Sequence, residues 1–172
     1  FMVSIVRATI KDFKLLADLG KQTFIESHGS SAKQEDIDAY INEKYNYDFL
    51  KKDVNDSNNI YHIIYHDSQP TGYSKIILNS PSSNIELKNI TKLEKIFLLK
   101  DFYNLKLGAG LFNHNTAISK RNEQSGIWLY VWIKNQRAIN FYTKNGFEVI
   151  GNYDFKISET HSNPNYQMFL KY

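Results

Sequence analysis

A chain of 172 residues that is 42% hydrophobic and 15% aromatic, with only 3 Pro and 8 Gly, has material for one packed core and little for linkers, so residues 2–172 are expected to form a single domain. A formal net charge of +3 spread over scattered lysines argues against a nucleic-acid partner, and Lys51-Lys52 and Lys120-Arg121 read as solvated helix ends. The absence of Cys excludes disulfides, thiolate zinc sites and a cysteine nucleophile, and no apolar run reaches a membrane span or resembles a signal peptide; the expectation is a cytoplasmic protein with no membrane association and no metal.

Residues 2–8 alternate as a strand, and Thr9 followed by Asp12 suits the start of a helix over 10–27 whose Phe13, Leu16, Ala17, Leu19 and Phe24 are available to face a core. After the polar break at 28–31 a second helix begins at 36–41, and a third runs over 47–54. Residues 60–65 and 71–78 form a hairpin about a turn at 66–70, and 79–89 is a polar loop. The next strand, 91–99, carries Ile96-Phe97-Leu98-Leu99, an apolar run expected to be buried on both faces of a central strand. A helix over 108–121 with Leu111, Phe112, Asn115 and Ile118 at helical spacing leads to a strand at 127–133. A helix over 135–145 then ends at Gly146, and strands follow at 147–157 and 166–172. This order predicts an α/β (α+β) mixed sheet with helices on both faces. The two strands of the unit 91–133 should be parallel, with the ligand crevice beyond their C-terminal ends.

Two stretches carry chemistry. Between strand 91–99 and helix 108–121, Phe102 to Gly110 brings backbone amides to a helix N-terminus, where the unpaired N–H groups and the helix dipole favour an anion; a Gly pair opening a helix also serves simple packing. The second is Asn135-Gln136-Arg137-Ala138-Ile139-Asn140-Phe141-Tyr142-Thr143-Lys144-Asn145-Gly146-Phe147. Asn135 and Tyr142, seven residues apart, share one helical face at the C-terminal end of a buried strand. On a purely structural reading Asn135 is an N-cap, Phe141 and Phe147 are core, and Tyr142 is a rim residue.

Strand, phosphate-type turn, helix, strand and then N-x-x-A-x-x-F-Y-x-x-x-G-F resembles the acetyl-CoA-binding core of the GNAT N-acetyltransferase superfamily. With Trp128 to Trp132 and Leu93 to Leu98, it is most similar to the branch containing the PaiA spermidine/spermine acetyltransferases, clearly so over about residues 91–150. The resemblance implies a GNAT fold of about seven strands, with a splay between the two central parallel strands. It implies acetyl-CoA as co-substrate, its pantetheine arm held by backbone groups of Ile96, Phe97 and Leu98 and by Asn135. Its pyrophosphate would lie on the amides of Tyr103, Asn104, Leu105, Lys106, Leu107, Gly108 and Ala109. The family pattern at this turn is Gln or Arg, two residues, Gly, one residue, then Gly or Ala. Here Tyr103, Lys106 and Gly108 hold those places if the flanking elements stay ungapped, whereas starting at Leu105 makes Gly108 and Gly110 the glycines.

The resemblance makes Tyr142 the general acid for the leaving thiolate. Without Cys, direct attack by a neutral amine in a ternary complex is the simplest route. Glu94, on the strand that carries the cofactor's backbone partners, is the candidate base, with a plain surface carboxylate as the other reading. Acceptors in this family lie against the early helices, so a polyamine or other small amine would meet carboxylates among Glu26, Glu35, Asp36, Asp38 and Glu43. His28, Tyr40, Trp128 and Trp132 are candidates for the acceptor pocket, though aromatics at such spacings more often serve a core. Rival readings are a protein or peptide N-terminal acetyltransferase and a non-catalytic CoA-binding regulatory module; homodimerisation is an expectation carried by family analogy.

Overall fold

The computed structural model describes residues 2–172. Strand β1 (Val3–Arg7) ends at Thr9, which opens a short 3-10 turn at Ile10–Asp12. The Thr9 hydroxyl accepts from the Lys11 amide and the Asp12 carboxylate accepts from the Thr9 amide at 2.8 Å, a reciprocal cap that starts helix α1 (Phe13–His28). Leu16, Ala17, Leu19, Gly20, Thr23 and Phe24 form its buried face. Helices α2 (Gln34–Lys44) and α3 (Tyr47–Asn55) follow, the second capped by Asn46. Strands β2 (Asn59–His66) and β3 (Gln69–Ile77) turn through Asp67 and Ser68, both at positive φ (48° and 68°), as a two-residue hairpin requires.

Strand β4 (Thr91–Leu98), helix α4 (Leu107–Arg121) and strand β5 (Gly126–Trp132) make the expected parallel unit. Helix α5 (Gln136–Lys144) then closes at Gly146 (φ 94°), before β6 (Glu148–Lys156) and β7 (Ser162–Lys171). Strand β7 begins four residues before the expected start. Pro164 is tolerated because β5 has ended there and only the proline carbonyl is used, accepting from the Ile133 amide.

The sheet runs β1-β2-β3-β4-β5-β7-β6 and is antiparallel except at β4–β5. Alternation along the strands sends Tyr61, Ile63 and Tyr73 toward α1–α3, where Leu16, Phe24, Ile37 and Leu50 complete one core. Ile76, Leu93, Leu129 and Met168 face the other way, packing with Phe112, Tyr142 and Phe147 from α4, α5 and the chain just after it. No helix among the described residues is long and apolar enough to cross a membrane.

One expectation fails at the centre. Ile96, Phe97 and Leu99 are half-buried rather than enclosed on both faces, because β4 pairs with β5 only at Thr91–Ile127 and Lys92–Trp128 and the strands then part.

Candidate active site

The parting strands open a cleft of about 1120 Å³ that passes through the sheet, from α1 and α2 on one face to the N-terminal ends of α4 and α5 on the other. Residues 96–98 of β4 are held on one side by β3, in the pairs Ser74–Ile96, Tyr73–Phe97 and Gly72–Leu98. At Gly72 the strands approach so closely that a Cβ would collide with the Phe97 carbonyl oxygen. On the β5 side this stretch has no strand partner, so its backbone groups face the cleft and can pair with an extended ligand arm. Ile96, Phe97 and Leu98 all line it.

At the far end, α4 starts on Lys106, which sits in the left-handed region (φ 62°, ψ 15°) with no side chain capping the first turn. The amides of that turn are therefore free for an anion. Asn104 also has positive φ (67°), whereas Gly108 and Gly110 lie inside the helix and do not. A glycine requirement at this turn thus falls on position 106, and Lys106 meets it at a backbone cost, which favours the ungapped register. Tyr103, Asn104, Lys106, Leu107, Gly108 and Ala109 line the cleft; the Leu105 side chain is 45% exposed and lines no part of it, which leaves the role expected of its backbone amide untouched.

Sequence reading missed the cations opposite this turn. Lys134, Arg137 and Lys144 line the cleft, and the Arg137 guanidinium lies 3.7 Å from the centre of the Tyr103 ring, which steers it beside the anion-binding amides. The available signal was the seven-residue spacing of Arg137 and Lys144, which puts two cations on one face of α5.

Asn135 caps α5 with its side-chain oxygen on the Ala138 amide at 3.3 Å and lines the cleft. Tyr142 stands on the same wall, its ring against Phe147 (5.3 Å) and Phe141 (5.6 Å). Burial raises its phenol well above the ordinary tyrosine range, so it keeps its proton at physiological pH.

Glu94 owes its position to a β-bulge. The β3–β4 register passes from Lys75–Lys95 to Ile76–Leu93, leaving Glu94 as the extra residue. Its carboxylate lies 3.3 Å from Lys75 Nζ, and Lys75 also donates to Asp53 at 2.8 Å. Across the cleft, His28 stacks on Phe24 (5.3 Å) and approaches Trp132 (5.4 Å) and Phe97 (6.1 Å). Burial pushes the His28 imidazole down to about 4, so it is neutral near pH 7. The Ser27 hydroxyl lies 2.8 Å from the Thr23 carbonyl oxygen and 2.6 Å from His28 Nδ1, which fixes the orientation of the imidazole ring.

Tyr40 and Trp132 line the cleft with His28, and Tyr40 stacks on Phe24 at 4.8 Å. Trp128 does not line it: its indole N–H donates to the Ser80 carbonyl at 2.8 Å and its ring packs with Ile85 and Ile90 beneath the loop before β4, so its expected acceptor role is corrected. Among the carboxylates expected on the acceptor side, Glu26 alone reaches the cleft, while Glu35, Asp38 and Glu43 are exposed on α2.

Comparison with known proteins bears on this geometry. A sequence profile described as Acetyltransferase (GNAT) family matches residues 22–147. The chain is 25% identical over 157 residues, 91% of each protein, to an uncharacterised N-acetyltransferase in the pepI 3′ region of Lactobacillus delbrueckii subsp. lactis. It is 25% identical over 154 residues, covering 86% of this chain and 89% of the relative, to the spermidine N(1)-acetyltransferase of Thermoplasma acidophilum. In fold it matches the crystal structure of the PaiA N-acetyltransferase of T. acidophilum in complex with coenzyme A, with a TM-score of 0.79 over 100% of both chains at 22% identity. An arrested parallel strand pair above an uncapped helix N-terminus, read with this profile, identifies the chain as a member of the GNAT family of acetyl-CoA-dependent N-acetyltransferases.

Proposed function

We propose that this chain transfers acetyl from acetyl-CoA to a small primary amine by direct attack in a ternary complex. The observation that carries the reading is the open edge of β4 leading from the anion-binding turn of α4 to Tyr142 and Glu94 within one cleft. The relationship to the spermidine enzyme supports a polyamine within that acceptor class.

Residues 96–98 of β4 would hold the pantetheine arm by backbone pairing, with Asn135 adding a side-chain hydrogen bond. The first turn of α4, with Lys106 and Arg137 beside it, would hold the phosphates. Glu94 receives the proton of the attacking amine, directly or through one water, while its contact with Lys75 orients it. A backbone N–H of β4 stabilises the oxyanion. Tyr142, protonated by virtue of its burial, donates to the departing thiolate. The low dielectric that makes the phenol reluctant to ionise also raises the basicity of that thiolate, which helps the transfer.

The test is calorimetric titration of acetyl-CoA together with release of free CoA over a panel of amines and peptide amino termini. Binding with turnover on a small amine is expected. Absence of binding would overturn the reading; binding with turnover only on peptides would move it to N-terminal acetylation, and binding with no turnover to a CoA-binding module.

A further inference from the structure

The charges on the α1–α3 side of the cleft are unequally compensated. Its two carboxylates are both engaged: Glu26 accepts from the Lys100 amide at 2.9 Å and from the Gln22 side chain at 3.2 Å, and Glu94 is held by Lys75. Four of the lysines that line the cleft lie on this side, Lys44, Lys75, Lys92 and Lys95. Lys44 lies 3.7 Å from Glu43, and Lys75 has Asp53 and Glu94. Lys92 and Lys95 form no ion pair with a carboxylate among the described residues, although Lys92 feels the charge of Glu94 and Lys95 that of Asp53. Lys95 Nζ lies 4.4 Å from the centre of the Tyr45 ring and donates to its hydroxyl at 3.4 Å; Lys92 Nζ lies 5.1 and 5.3 Å from the rings of Trp128 and Tyr130.

The bulge at Glu94 creates this arrangement. Three residues apart on a regular strand, Lys92 and Lys95 would point to opposite faces; the extra residue turns both toward the acceptor side, one on either side of the candidate base. Burial depresses the Lys92 ammonium, partly offset by Glu94 and reinforced by Lys75, so its charge is held at a cost that an anion would relieve.

We propose that the acceptor carries an anionic group, a carboxylate or a phosphate, in addition to its reactive amine, and that Lys95 and Lys92 bind that group. The proposal rests on the N-acetyltransferase reading, keeps its small primary amine, and sets an anionic amine in place of the polyamine that the spermidine relative supports. A polyamine would bring further ammonium groups to two lysines that lack an ion-pair partner and find no free carboxylate.

Matched acceptors test it. With acetyl-CoA saturating, kcat/KM is measured by CoA release for 4-aminobutyrate, butylamine and 1,4-diaminobutane, which present carboxylate, methyl and ammonium at the far end of the same four-carbon amine. O-phosphoethanolamine against ethanolamine separates phosphate from carboxylate. At least one anionic amine is expected to exceed its neutral partner by about tenfold, with the diamine poorest. Lys95→Gln should raise KM for the preferred anionic amine about tenfold with kcat within about twofold, and Lys95→Arg should restore it. Neither anionic amine exceeding its neutral partner, or the diamine matching the better anionic amine, would overturn the proposal while leaving the enzymatic reading intact, as would an unchanged anionic-to-neutral ratio in Lys95→Gln. No turnover of any of the five amines despite acetyl-CoA binding would overturn both.

Discussion

Lys106 is the residue at which stability and ligand binding should come apart. It begins α4 with φ 62° and ψ 15°, a conformation that crowds the Cβ of any L-residue other than glycine. Lys106→Gly removes a strain of about 1–2 kcal/mol and restores about 0.5–1 kcal/mol of chain entropy to the unfolded state, for a net gain near 0.5–1 kcal/mol. In a chain of this size that raises Tm by about 2–3 °C. The same change deletes an exposed cation at the phosphate turn, so Kd for acetyl-CoA should rise about two- to fivefold, less at high salt. Lys106→Ala is the control, because it loses the charge and keeps the crowded Cβ: its affinity should fall equally while its Tm stays within about 1 °C of the parent. Thermal unfolding and calorimetric titration of the three proteins give both readouts. A Lys106→Gly protein no more stable than Lys106→Ala would refute the strain assignment, and unaltered affinity in both variants would remove Lys106 from the phosphate site.

Tyr142→Phe keeps the ring packed against Phe141 and Phe147, so turnover should drop about 100-fold or more with acetyl-CoA affinity within about twofold; unchanged turnover would end the acid assignment. Glu94→Gln leaves the 2.8 Å Lys75–Asp53 bond in place, so stability should move by about 1 kcal/mol or less while turnover falls about 100-fold; unchanged turnover would count against Glu94 as the base. His62 is 4% exposed, and burial, with His114 4.7 Å away, holds it down at about 4. The unfolded chain takes up that proton near pH 6.5 and the folded one does not, so stability is lost as pH falls from about 6.5 to about 4, by about 2 kcal/mol at pH 5. Urea unfolding at pH 7.5 and 5 should show this loss shrinking in His62→Phe, and an identical slope in both proteins would exclude His62 as its source.

Much of the frame was legible because it is written in local patterns. The Thr9–Asp12 cap, the alternation of β2 and β3, and the N-cap and seven-residue spacing of Asn135 and Tyr142 each depend on residues within a turn or two of one another. The places where reading failed depend on partners far along the chain. The run Ile96 to Leu99 looks doubly buried until β5 is seen to stop pairing after Trp128. Trp128 has the composition of a pocket residue, and only the Ser80 carbonyl and the loop packed over it show that its face is already covered. The paired lysines of β4 were hidden by the bulge, since period-two alternation assigns Lys92 and Lys95 to opposite faces.

The strand pair that stops after Lys92 and Trp128 leaves unpaired peptide groups within the protein. An exposed strand edge of that kind ordinarily invites another chain to add on, and proteins defend such edges against aggregation with charges, bulges or prolines. Here the gap is flanked on both sides by the same sheet and roofed by helices at each end, so a second sheet has no angle of approach while a single narrow, flexible chain does. The fold can therefore keep a strand-shaped vacancy permanently open at its centre without the self-association hazard that the same peptide groups would carry at the rim.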